Sequence, residues 1–164
     1  MATYTLISSV TVGSGGAASM SLTSIPATYT DLLISLSLRS DSNVSDVLVN
    51  FNSAGNNSTW RRLLGEGSSS SSDSGSNGAG LLINMSTTTA SVFATNQMYI
   101  PNYAGSNYKS YSTEAAIERN SATGQAMQIA AGLWSNSAAI TSISFTGTSG
   151  NFVQYSTAYL YGIS

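Results

Sequence analysis

The feature that most limits what this chain can fold into is a two-residue alternation of apolar and polar side chains that runs through most of its length. In the stretch 31–39, Leu32, Ile34, Leu36 and Leu38 take one side while Asp31, Ser35, Ser37 and Arg39 take the other, with Leu33 the one apolar exception. A period of two is that of a strand with one buried and one wet face, and it leaves an amphipathic helix no stripe to bury. Val47, Val49 and Phe51 repeat the pattern against Leu48 and Asn50, and Tyr4, Leu6, Val10 and Val12 stand against Thr5, Ser9 and Thr11. Further strands are expected over 17–23, 59–64, 97–100, 108–118, 125–134, 139–145 and 152–161, about ten short strands in all.

Turn residues separate these segments at 13–16, 25–26, 52–57, 101–107, 120–124 and 147–151, where Gly, Pro, Asn and Ser accumulate. Short strands punctuated in this way predict an all-β fold, an antiparallel β-sandwich of jelly-roll type, in a single domain spanning 1–164. The segment 65–80, GEGSSSSSDSGSNGAG, has almost nothing to bury and is expected to be a long exposed loop.

Charge is scarce. Asp, Glu, Lys and Arg make up 7% of the chain, against about 25% in an ordinary soluble domain, and hydroxyls and amides supply the polarity instead. Contacts made by such a surface are neutral and little screened by salt. With a net charge of −2 and no basic cluster beyond Arg61-Arg62, duplex nucleic acid is not an expected partner. The N-terminal residues lack a basic region followed by an apolar run, and no stretch of about 18 apolar residues occurs, so neither secretion nor membrane insertion is expected.

Residues able to do chemistry are few. The chain has no cysteine and no histidine, which removes disulfides, thiolate metal sites and histidine-based nucleophilic catalysis. Glu114 and Glu118 would sit about 13 Å apart along a strand, too far for a pair of glycosidase carboxyls. Lys109, the sole lysine, reads as a surface residue. Asp41, Asn43 and Asp46 read as an Asx-rich turn rather than a calcium loop. The sequons beginning at Asn43, Asn56, Asn57 and Asn84 are what chance gives in a chain so rich in Asn, Ser and Thr. No enzyme activity, cofactor or metal is expected. Nine tyrosines against four phenylalanines favour rings with a wet edge, and Trp60, Tyr103, Tyr108 and Tyr111 are the candidate partner-contact aromatics, set against the alternative that most such rings fill the core.

Several phrases carry a family likeness: Ile25-Pro26-Ala27-Thr28-Tyr29-Thr30-Asp31-Leu32, Trp60-Arg61-Arg62-Leu63-Leu64-Gly65, Tyr99-Ile100-Pro101-Asn102-Tyr103 and Ala131-Gly132-Leu133-Trp134-Ser135, with the closing Leu160-Tyr161-Gly162-Ile163. In this order they resemble a family of virion structural proteins of tailed phages, aquatic and cyanobacterial ones especially. The resemblance covers most of the chain except 68–95, and it implies a particle protein, assembled in the bacterial cytoplasm, without naming any functional residue. The expected function is a capsid decoration or cement protein that oligomerises as a trimer and bridges major capsid subunits. A Met-initiated domain with no coiled-coil shaft favours that over the alternative, a tail-fibre or other appendage protein binding host glycans.

Overall fold

A computed structural model describes residues 1–43, 46–52, 57–119 and 125–164. Residues 53–56 of the turn expected over 52–57, the whole of the one expected over 120–124, and the sequon residue Asn56 lie outside them. Twelve strands make up the described chain: β1 (Tyr4–Thr11), β2 (Ser19–Leu22), β3 (Asp31–Leu38), β4 (Asp46–Phe51), β5 (Ser58–Glu66), β6 (Ser69–Ser76), β7 (Gly78–Leu82), β8 (Ala94–Pro101), β9 (Lys109–Ile117), β10 (Ala126–Trp134), β11 (Ile143–Gly147) and β12 (Thr157–Ile163).

They form two antiparallel sheets, one in the order β1-β12-β3-β8-β9-β10-β5-β6 and one in the order β2-β11-β4-β7. Set aside β5, β6, β9 and β10, and the remaining eight strands pair first with last, second with seventh, third with sixth and fourth with fifth. That is a jelly roll. The four other strands leave it as two hairpin-like excursions and extend the larger sheet beyond β8 as a wing.

The alternation in the sequence sets which face is buried. Leu32, Ile34, Leu36 and Leu38 of β3 all point between the sheets, where they meet Met20, Leu22, Val49, Phe51, Ile143 and Phe145 from the smaller sheet. A second cluster, Leu82, Ala94, Ala115, Ile117 and Ala126 with Leu64 against it, fills the inner side of the wing. Its small residues pull the wing close to β7.

Four expectations are corrected. In β1 the register slips between Leu6 and Ser8, a bulge that reverses the facing of the residues beyond it. Tyr4 and Leu6 are therefore exposed while Val10 and Val12 turn to the core, so the four do not share one face. The segment 65–80 is exposed but is no loop: Ser69–Ser76 is a strand paired residue for residue with β5. The hairpin turns at Gly67, whose φ of 55° is of the sign that a tight turn asks of its first central residue. Arg62 then clamps β6 from β5, donating from Nε and Nη2 to both carboxylate oxygens of Asp73 at 2.7 and 2.9 Å. Residues 139–142 are not strand, because Asn52 occupies their backbone, accepting from Thr141 N at 2.7 Å and Ser142 N at 3.2 Å and donating to Ala139 O at 2.6 Å. The last strand starts at Thr157 rather than at 152, after Tyr155 with φ 72° has turned the chain.

Candidate interaction face

Two of the four candidate aromatics belong to the interior. Tyr103 is 0% exposed and donates its hydroxyl to Pro26 O, and Tyr111, 2% exposed, packs at a tilt against Phe51 at 5.7 Å and donates to Gly78 O at 3.2 Å. Both rings sit on inward positions of the sandwich, so neither is open to a partner. Burial pushes the Tyr111 phenol up to about 12. Trp60 is half-buried on the inner side of the wing, pressed onto Gly75 and Gly78, where a Cβ would come within 2.7 and 2.9 Å of its ring. The Arg62 guanidinium lies over the ring, 5.0 Å from its centroid. Only Tyr108 stands in solvent. The four do not form one cluster.

Lys109, Asp41 and Asp46 are taken up locally. Lys109 is not a surface residue: it is 1% exposed, and its ammonium donates to the carbonyls of Gly105 at 2.6 Å, Asn107 at 2.5 Å and Ser137 at 3.3 Å. Its position is an inward one on β9, next to the Trp134 ring, and burial lowers its pKa. Asp41 accepts from Asn151 N at 2.7 Å and from its Nδ2 at 3.1 Å, which holds its carboxyl below the ordinary range. Asn43 accepts from Thr87, and Asp46 pairs with Arg62 at 3.4 Å, so the three oxygens do not converge. Asn84 is fully buried and spends its amide on Val92 O, at 2.7 Å, and on Met85 N and Thr88 Oγ1. Among the described residues no three acids gather into a metal-holding group.

What the sheet does assemble is a face. Outward positions of β9, β10, β5 and β6 fall into cross-strand rows: Glu114, Ile129, Leu63 and Ser72 in one, and Ser112, Ala131, Arg61 and Ser74 in the next. Ile129 and Leu63 are 58% and 59% exposed, with Met127 at 71% beside them. The first row is a ridge. The second, made mostly of Ser and Ala, is low, and the two bound an open hollow of about 720 Å³ lined by Arg61, Leu63, Ser74, Ser112, Ile129 and Ala131. A second hollow of about 640 Å³ lies across the ridge, between Met127 and the serines of β6.

The apolar character continues along the same side of the sheet. Tyr4, Leu6, Tyr99 and Tyr159 occupy outward positions at its β1-β12-β3-β8 end, where Tyr99 donates to Asp31 at 2.7 Å. Among the described residues, eight of the eleven exposed large apolar side chains therefore share one side of the molecule. The outward positions of the smaller sheet are of another kind: Ser19 and Ser21 on β2, Ser144 and Thr146 on β11, and Asn50 beside a half-buried Leu48 on β4. A search by residue type for rings or titratable groups passes over the ridge, since its members look like core residues. The signal was their parity: Met127, Ile129 and Leu133 alternate with Gln128, Ala130 and Gly132, whose side is the one that packs inward. Comparison with protein-family models, with curated proteins and with solved structures returns no match.

Proposed function

We propose that this chain is a structural protein of a tailed-phage virion, a decoration protein that lies on the capsid with its larger sheet turned toward neighbouring subunits. The observation that carries this reading is the contrast between the two sides of the sandwich. Eight exposed large apolar side chains on one side of the molecule, grouped at the wing and at the β1 end, mark a surface that another macromolecule covers. The hydroxyl- and amide-rich opposite side suits exposure to water. The resemblance of the strand-core phrases to virion proteins supplies the particle, and the jelly roll agrees with it, since this architecture recurs in capsid and lectin domains.

The glycan-binding alternative draws less support, because it asks for stacking rings around a groove. Tyr103 and Tyr111 are buried, Arg62 lies over the Trp60 ring, and neither hollow has an aromatic ring in its lining. Cryo-electron microscopy of the parent particle tests the reading. Copies spread over the capsid with β5 and β10 toward their neighbours are the expected result. Copies confined to the tail would replace this reading with the appendage one.

A further inference from the structure

The ridge and hollow on the wing also carry a pair of opposite charges. Arg61 stands at one corner of the hollow and Glu114 at the opposite corner, on β5 and β9. Strand spacing puts their Cα atoms about 12 Å apart on the sheet. Among the described residues neither belongs to an ion pair. Between them lie Ile129, which projects, and Ala131, which leaves room.

From this arrangement we infer that the outer face of the wing is a twofold interface with a second copy of the same chain. Consider a twofold axis in the plane of contact, diagonal to the strands and passing over the point between Ile129 and Ala131. It sets Arg61 of one copy against Glu114 of the partner subunit, and the reverse, and it seats each Ile129 in the other's hollow. Every group on the face is thereby answered by one on the same face, which is what an isologous contact requires. The strands of the two sheets then cross nearer the orthogonal than the aligned class. Size is near what is needed: β9, β10, β5 and β6 present roughly 19 by 30 Å, on the order of 580 Å², against about 600–1,000 Å² per partner in stable pairs. The tyrosines at the β1 end stay free for the shell. This inference rests on the proposed role of the apolar face and names its first occupant; it replaces the trimer expected from the sequence with a dimer.

The test is sedimentation equilibrium of the full chain over a concentration series, with Arg61→Glu, Glu114→Arg and the double reversal. Expected are a monomer–dimer equilibrium, a dissociation constant raised at least about tenfold by each single reversal, and recovery in the double variant, since like charges face each other only in the singles. Circular dichroism melts of the same variants, expected to match the parent, separate loss of association from loss of fold. A monomer at all concentrations, a trimer, or a dimer indifferent to the reversals overturns the inference. Particle binding by the same proteins keeps the two readings apart. A dimer that does not bind particles leaves the interface standing and removes the virion role. A monomer that does bind leaves the role and removes the interface.

Discussion

At the scale of single residues, two buried polar groups have consequences that can be measured. Tyr111 keeps its proton in the folded chain to about 12, against an ordinary value of 10.0, because its ring and hydroxyl are out of water. The unfolded chain releases that proton first. Its contribution to stability is therefore complete below pH 10 and is lost as the pH rises through 10 to 12, about 2–3 kcal/mol when the loss is complete. Tyr111→Phe is expected to flatten the alkaline arm of the stability profile in denaturant titrations relative to the parent; an unchanged arm would mean that other groups set it. Lys109 is the opposite case, a charge held by three carbonyls. Lys109→Met fills the same space and strands those carbonyls, at an expected cost of about 2–4 kcal/mol in the same titrations. A surface lysine would show none.

At the scale of strands, the two faces of the large sheet should respond differently to the same kind of truncation. Leu36→Ala opens a cavity between the sheets and is expected to cost about 2–5 kcal/mol. Ile129→Ala removes a side chain from the open ridge and should stay within about 0.5 kcal/mol in dilute solution. Equal losses would place Ile129 in the core. That β3 has this inward row was legible from Leu32, Ile34, Leu36 and Leu38, because parity alone decides it. The facing of β1 was not legible, since one bulged residue between Leu6 and Ser8 reverses parity without changing composition. Nor was β6: a run of serines has no hydrophobic pattern, and its strand state comes from the β5 ladder and the Arg62–Asp73 clamp, both long-range facts. Lys109 eluded residue-type reasoning in the same way, because its burial depends on carbonyls from two separate loops. Of the interaction face, the exposed apolar row on β10 was present in the sequence, but which side of β10 packs inward became decidable only with its neighbours in place.

At the scale of the molecule, the jelly roll and its wing differ in what holds them. The eight-strand body encloses Phe51, Phe145 and Phe152, and Trp134 at the near end of β10 packs against Phe51, whereas the far end of the wing is held by alanines, Ile117 and Leu82 with a half-covered Leu64. Apolar area sets the free energy of local opening, so β6 and the adjoining ends of β5 and β10 should exchange their amide hydrogens ahead of β3, β8 and β12. If the wing is also where two copies meet, that ordering depends on concentration. Association closes the outer face of β5 and β10 and adds to the free energy of opening there as mass action dictates, while β3 and β12 are unaffected. Hydrogen exchange read by mass spectrometry at two concentrations on either side of the dissociation constant is expected to show protection rising in β5, β9 and β10 alone. Arg61→Glu should hold all three at the dilute value. A rise centred instead on β1 and β12 would put the contact at the tyrosine end of the sheet and leave the wing open.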